Sequence, residues 1–226
     1  MSGAGFTRAF GLVDLGRQLV NSTIVALLAV PLSVLVASWA GFAATRLSPR
    51  GRRLVVGGSL VALLVPVSAL WVPRFVLFDR LELLNTWVPL VAPALMATSP
   101  LYVLLFFWSF SRLPPDLVDA ARLEGLGPFA VWRRVAAPLV RPTTFAVGAL
   151  AFVFHWSNFV DALLYLDDPG LFTAPLGLRQ LNELGPTDFS TQLAAALVAT
   201  LPAAIAFGAV GHRFLSDGRV AARSRR

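Results

Sequence analysis

Long apolar runs separated by short polar segments make up most of this 226-residue sequence. Each run is close to the roughly 20 residues that a helix needs to cross a membrane. The runs show no period-two alternation and are longer than strands, and helices satisfy their own backbone hydrogen bonds in lipid. The pattern therefore predicts an all-α integral membrane protein, with spanning helices near residues 21–45, 54–78, 85–111, 139–164 and 189–214.

Proline recurs inside these runs, at Pro31, Pro66, Pro93, Pro100 and Pro202. A proline removes one backbone donor and would break a helix in water. In a membrane bundle, neighbouring helices can bind the freed carbonyl groups. We therefore expect these prolines to kink the spans for packing, and a hinge at one of them is the alternative.

Composition and charge agree with a membrane protein and predict its orientation. Only 14% of the residues are charged, against about a quarter in a soluble domain. Arginine alone carries the positive charge, in clusters between the apolar runs, which argues against a nucleic-acid-binding face. Fourteen of the 19 arginines lie inside if residues 45–53, 112–141 and the tail from Arg213 are cytoplasmic, as the positive-inside rule favours.

The segment of residues 112–138 is too polar to cross a membrane, yet it has a regular pattern. Pro115 suits a helix start, and Asp116 falls in the first turn, at the positive end of the helix dipole. Gly125 can adopt the left-handed conformation that ends a helix. A second short helix is predicted to run towards Pro138, so the two helices form an L at the cytoplasmic surface. An ordinary amphipathic surface helix is the alternative.

The order of an acidic residue, two small residues, a glycine and later prolines resembles the EAA loop of permeases of binding-protein-dependent ABC importers. The resemblance implies that residues 1–226 form one type I ABC importer transmembrane domain. It also implies a coupling helix that sits in a cleft of a separate ATPase subunit. Two alanines leave a smooth face for a partner, whereas an aspartate replaces the family's glutamate and has one methylene fewer. The residues expected to couple to the ATPase are Asp119, Ala120, Ala121, Glu124, Gly125 and Pro138.

Three softer markers resemble the carbohydrate-type branch of these permeases: Asn21-Ser22, HWSNF at residues 155–159 and APLGLRQL from Ala174. This branch contains maltose-like and glycerol-phosphate-like importers. The resemblance implies a multi-pass subunit in a bacterial inner membrane, surrounded by lipid, that carries a sugar or polyol. Its partners would be a homologous permease, two ATPase subunits and an extracytoplasmic solute-binding protein. ATP and magnesium would be bound by the ATPase, and this chain would hold no cofactor.

The start of the chain, residues 1–12, lacks the layout of a signal peptide. Members of this family usually have six spans, and the likeness begins near their second. We therefore expect either a first span that inserts as a reversed anchor or a preceding helix that is absent from this chain.

Polar residues interrupt the fourth predicted span near its outer half. Polar groups in a span usually face the bundle interior or a water-filled cavity, and aromatic and amide groups suit a sugar. The alternatives are hydrogen bonds between helices and an aromatic anchor at the membrane interface. The residues expected to line a substrate pathway are Trp156, Asn158, Phe159 and Asp161.

Catalytic chemistry has no recognisable site in the sequence. There is no cysteine, and the two histidines, His155 and His212, belong to different spans, so neither a metal site nor a nucleophile relay is predicted. A P-loop needs a lysine, and the chain has none. A secondary transporter is the alternative function, but it would need ionisable residues at mid-membrane, and only His155 comes near. A membrane-embedded enzyme is the third alternative.

Overall fold

The structure, a computed structural model, describes residues 3–96, 99–183 and 189–223, and every regular element in them is a helix. Positions 97 and 98 of the third predicted span, and Arg225 and Arg226 of the predicted tail, lie outside the described residues. The predicted all-α class is confirmed. In chain order the α-helices are α1 (Gly3–Leu12), α2 (Leu15–Thr45), α3 (Pro49–Leu63), α4 (Trp71–Arg80), α5 (Val88–Val91), α6 (Pro100–Ser111), α7 (Pro115–Leu123), α8 (Pro128–Val131), α9 (Ala137–Leu139), α10 (Arg141–Trp156), α11 (Val160–Tyr165), α12 (Ala174–Glu183) and α13 (Phe189–Arg223).

Short turns of other helical types complete these elements. The 3₁₀ turns cover Val67–Leu70, Ala92–Met96 and Pro169–Leu171, and a π-helical turn covers Trp132–Ala136.

Three segments of the described chain are long and apolar enough to cross a membrane: Leu15–Thr45, Val88–Ser111 and Phe189–Gly208. Two bent pairs of helices would also qualify if each pair were one span. Pro49–Leu63 and Val67–Arg80 meet at 93°, and Pro128–Leu139 and Arg141–Trp156 meet at 86°. The second apolar run is therefore bent within its length. In the fourth, the bend lies at residue 140, where the polar loop meets α10, and the helix is interrupted at residues 157–159.

Proline explains part of this difference from the sequence expectation. Pro31 and Pro202 lie inside α2 and α13, where the helix continues past them. At Pro66 the helix stops instead, because proline lacks an N–H and disfavours a helical conformation in the preceding residue. Pro93 lies in a 3₁₀ turn, and Pro100 begins α6.

The residues fall into two compact units. The first unit contains Met1–Ala29, Leu70–Ala92 and Phe152–Arg226. One of its cores packs α1 against α12 and α13 through small and aliphatic residues, Ala9, Leu15, Leu181 and Ala195 among them. A second core surrounds Tyr165, whose ring meets the ring of Phe78 edge to face at 5.4 Å.

The second unit contains Val30–Ala69 and Pro93–Ala151. Its core is aromatic: the Phe42 ring meets that of Phe110 edge to face at 5.4 Å, and Phe110 stacks on Phe106. Residues of the polar loop, including Val118 and Trp132, belong to the same core. The loop is therefore packed onto the helices of its unit.

Candidate functional site

The first arm of the loop, α7, begins and ends as the sequence predicts. Pro115 occupies the first turn with Asp116. At the other end Gly125 has φ +80°, in the left-handed region. The N–H of Leu126 donates to the carbonyl of Ala121 at 3.1 Å, and the N–H of Gly125 donates to that of Arg122 at 2.9 Å. These two bonds form a Schellman motif, and the predicted helix end at Gly125 is confirmed.

The two faces of α7 have different roles. Val118 and Ala121 are buried in the core of the second unit. Ala121 is thus covered by the chain itself and is not part of a smooth partner face with Ala120. The outward face consists of residues three and four positions apart, which lie on one side of a helix: Asp116, Asp119, Ala120 and Leu123, all exposed.

Leu123 is a candidate that sequence reasoning missed. Leu123 is 91% exposed, and it lies next to Glu124, which is also exposed, and to the elbow at Gly125. A leucine at the end of a helix with periodic apolar residues is predicted to be a core residue unless the buried face of the helix is known. The available signal is its spacing, because Leu123 is four residues after Asp119 and therefore shares the outward face.

The charges on α7 lie close to the end of α2. Asp119 and Arg122 form an exposed ion pair at 4.0 Å, which contributes little to stability. Arg46 follows the last residue of α2 and lies over the Phe42 ring, 5.1 Å from its centroid. Burial, and after it the positive charge of Arg122, lowers the pKa of Arg46, whereas Asp119 raises it. Asp119 therefore lies in the electrostatic field of two arginines.

The second arm of the loop runs from Pro128 to Leu139. It passes through the π-helical turn, and Pro138 lies in α9 directly after that turn, half-buried. Trp132 points into the core, and its Nε1–H donates to Ser38 Oγ at 3.0 Å. The loop is therefore tied to α2 by a buried hydrogen bond.

The four predicted pathway residues lie around a break between α10 and α11, in the first unit. Asn158 and Phe159 are half-buried at the break. The Oδ1 of Asn158 accepts from the N–H of Asp161 at 3.2 Å, and its Nδ2 donates to Asp161 Oδ2 at 2.9 Å. Trp156 is buried, and its Nε1–H donates to the carbonyl of Ala199 in α13 at 2.8 Å. The bond of Trp156 to α13 agrees with the alternative of hydrogen bonds between helices, whereas Asn158 and Asp161 bond to each other locally at the start of α11.

Two of the softer sequence markers meet in the first unit. Asn21 is buried, and its Nδ2 donates to the carbonyls of Gly170 at 3.0 Å and Phe172 at 2.9 Å. Ser22 Oγ accepts from the N–H of Ala174 at 2.8 Å. The start of α2 therefore holds the loop that leads into α12; we call residues 166–173 the clamped loop.

A second set of hydrogen bonds holds the clamped loop near its beginning. Asn85 Oδ1 accepts from the N–H groups of Asp167 at 3.1 Å and Asp168 at 2.9 Å. Trp87 Nε1–H donates to the carbonyl of Leu171 at 3.1 Å. Because side chains from two separate segments bind its backbone, the clamped loop has a preformed shape.

Asn21→Ala should loosen the clamped loop while leaving the helices in place. Two carbonyls of half-buried residues lose their side-chain donor, and each lost hydrogen bond costs about 0.5–1.5 kcal/mol. Hydrogen exchange in peptides covering residues 166–174 should accelerate about tenfold or more, since 1.4 kcal/mol is a factor of ten. Thr23→Ala is the control, because the exposed Thr23 bonds within its own helix, to the carbonyl of Leu19. Unchanged protection in Asn21→Ala would contradict this role.

Comparisons with known proteins place residues 3–214 in one family. Residues 3–214 match the family described as "Binding-protein-dependent transport system inner membrane component". The sulfoquinovosyl glycerol transport system permease protein of Agrobacterium fabrum is 32% identical over 202 residues, which cover 89% of this chain and 71% of that protein. The lactose transport system permease protein of Rhizobium radiobacter is 29% identical over 206 residues, covering 91% and 75%.

A solved structure agrees on the fold. The crystal structure of a bacterial ABC transporter involved in the import of the acidic polysaccharide alginate matches with a TM-score of 0.75. The match has 16% identity and covers 93% of this chain and 79% of that one.

These findings confirm the resemblance carried by the loop and remove the alternatives of a secondary transporter and a membrane-embedded enzyme. Permeases of this kind have no cofactor and no ATPase site of their own, and they work with separate ATPase and solute-binding components. The chain, a multi-pass permease subunit of an ATP-driven importer, belongs to the family of binding-protein-dependent transport system inner membrane components.

Proposed function

We propose that this permease imports a sugar or sugar-like polyol, and that α7 docks on a separate ATPase subunit. The outward face of α7 carries the docking proposal. It presents an almost fully exposed leucine, Leu123, among carboxylates at the end of a helix whose other face is buried. An apolar side chain surrounded by charged groups suits an anchor that fills a partner's pocket, while the charges set the register.

The coupling residues have different roles, which depend on their positions in the loop. Asp119, Ala120 and Glu124 face outward together with Leu123 and contact the ATPase. Ala121 contributes by letting α7 pack closely on the core, and Gly125 sets the elbow between the arms. The half-buried Pro138 contributes at the end of the second arm. A rigid elbow suits this role, because a flexible one would absorb the partner's movement.

The full importer would contain a homologous permease, two ATPase subunits and an extracytoplasmic solute-binding protein. In this arrangement the loop and the C-terminus are cytoplasmic, as the arginine distribution favours. The exposure of α3 supports a place among lipid and other helices. None of its residues is buried within the described chain, although nine of the ten residues from Leu54 to Leu63 are apolar or glycine.

The substrate class is supported by relatives and by residues at the break. The relatives are named for transport of sulfoquinovosyl glycerol, lactose and trehalose. Asn158 and Phe159 would meet the solute from the break between α10 and α11. Asp161 would orient Asn158 through its hydrogen bonds, and Trp156 would anchor the end of α10 on α13. An aromatic face and an amide together match the ring face and hydroxyls of a sugar.

Leu123→Glu and Asp119→Lys should detach the ATPase from the permease. A buried anchor of this kind contributes about 2 kcal/mol or more, so ATPase retention should fall roughly thirtyfold. Asp119→Lys would also place a third positive charge beside Arg46 and Arg122. The measurement is co-purification of the cognate ATPase with each variant, with uptake of labelled sugars, polyols and amino acids by the reconstituted importer.

Two variants make this experiment decisive. Asp79→Lys makes the same charge change on an exposed carboxylate of α4 and should retain the ATPase. Asn158→Ser keeps a cap acceptor but removes the amide, so it should retain the ATPase and lower sugar uptake alone. Full ATPase retention by both α7 variants would contradict the docking role, and transport of amino acids without sugars would contradict the substrate class.

A further inference from the structure

The loop is attached to α2 by a side-chain hydrogen bond that lies away from the outward face of α7. Trp132 is 8% exposed and Ser38 is 4% exposed, and the bond between Nε1 and Oγ is 3.0 Å long. These residues are 94 positions apart in the chain. A buried indole N–H has to find a partner, so the position of Trp132 is defined by Ser38.

Aromatic contacts reinforce the same attachment. The ring of Trp39, next to Ser38, meets the rings of Trp132 at 5.2 Å and Phe129 at 5.5 Å, both edge to face. Aromatic pairs in this geometry add to the stabilisation from burial alone. Two successive residues of α2 thus contact the second arm of the loop.

The backbone of the second arm is unusual at the same point. In the turn Trp132–Ala136 the N–H of Ala137 donates to the carbonyl of Trp132, five residues earlier. This wider turn accommodates Pro138, whose ring would otherwise clash with the carbonyl four residues before it. Single π-helical turns occur frequently at functional sites. Trp132 therefore accepts the π-type hydrogen bond through its carbonyl and is bonded to α2 through its side chain.

We infer that Trp132 is a positioning residue for energy coupling, which holds the second arm in one register on α2 through Ser38. This inference rests on the proposed docking of the ATPase at α7. Val118 and Ala121 of α7 share a core with Trp132, so a displacement of α7 is carried to Trp132 through packed side chains and to α2 through its hydrogen bond. If the bond is lost, the ATPase still docks, but its movement is passed less completely to the spanning helices.

A double-mutant cycle separates positioning from simple stabilisation. Ser38→Ala leaves the Trp132 N–H buried without its acceptor, whereas Trp132→Phe removes the donor and keeps an aromatic ring. The double variant has neither group, so it should regain much of the thermal stability that Ser38→Ala loses. A positioning role predicts that uptake per ATP hydrolysed stays low in the double variant although its stability recovers.

The experiment uses the complete importer reconstituted in vesicles with its ATPase and solute-binding protein. Uptake per ATP should fall about fivefold or more in all three variants, within the range of coupling between sites, while ATPase retention stays at the parent level. Trp87→Phe is the matched control, because it removes an indole N–H bonded to the carbonyl of Leu171 in the other unit. It should leave uptake per ATP unchanged.

The outcomes distinguish this inference from the docking proposal. If uptake per ATP recovers with stability in the double variant, or never falls in Trp132→Phe, the positioning role is overturned. Loss of ATPase retention in Trp132→Phe would also overturn it, since the residue would then act on docking itself. Failure of the docking proposal appears separately, as unchanged ATPase retention in Leu123→Glu and Asp119→Lys.

Discussion

Gly41→Val should lower the stability of the permease more than any other single change considered for its spanning helices. A Cβ at Gly41, inside α2, would lie 2.7 Å from Phe106 Cβ, 2.8 Å from the backbone nitrogen of Phe107 and 3.0 Å from the carbonyl oxygen of Val103. Two of these atoms are backbone of α6 and cannot rotate away. Small residues allow membrane helices to approach closely, so a branched side chain here forces the helices apart.

The expected cost is about 3 kcal/mol, the upper part of the usual range for overpacking. It is measured as a lower unfolding temperature and a smaller folded fraction after extraction in mild detergent. Gly58→Val is the control, because it also replaces a glycine within a helix, but a Cβ there meets nothing within 4 Å. Equal behaviour of the two variants would show that α2 and α6 are not in close contact at Gly41.

Gly125→Val should leave the spanning helices folded and still abolish most ATPase retention. Gly125 has φ +80°, and a Cβ there would meet no atom within 4 Å, so the penalty is purely conformational. The left-handed region costs about 1–2 kcal/mol for a residue with a Cβ, and more for a β-branched one. Because the Schellman motif needs this conformation, the elbow opens, and ATPase retention should fall about tenfold or more.

A graded series tests whether conformation is the cause. Asparagine tolerates the left-handed region, so Gly125→Asn should retain more ATPase than Gly125→Ala, and Gly125→Val should retain the least. Gly127→Ala is the matched control: Gly127 has φ −68°, which any residue adopts, and a Cβ there also meets open space. If retention followed side-chain size at both positions alike, the elbow would not depend on the left-handed conformation.

Local features of the loop could be predicted from the sequence because local chemistry determines them. Pro115 begins α7 since its missing N–H needs no partner there, and Gly125 ends α7 since it tolerates positive φ. That Ala120 is exposed and Ala121 is buried could not be predicted. Both are small and helix-forming, and only the packing partners of α7 decide which one is covered.

Long-range pairings were outside the reach of the sequence pattern. Asn21 belongs to a sequence motif, but the carbonyls that it binds are 149 and 151 positions away. Trp132 lies in the polar loop, but its partner Ser38 is 94 positions away. The different outcomes at Pro31 and Pro66 have the same origin. Proline disfavours a helix at both places, and the sequence does not show whether neighbouring helices compensate for it, as they can in a membrane bundle.

The clamp formed by Asn21 has a consequence for the biogenesis of the protein. Its two carbonyl acceptors are separated from it by 149 and 151 positions, so a ribosome adding roughly 5–20 residues per second needs about 8–30 s to supply them. During that interval the amide of Asn21 lacks both native partners, and a polar group without partners is costly to place in apolar surroundings. The start of α2 can reach its final environment only after the clamped loop has been made. Substitutions in that loop would therefore impair the membrane insertion of α2, although α2 is synthesised long before the loop.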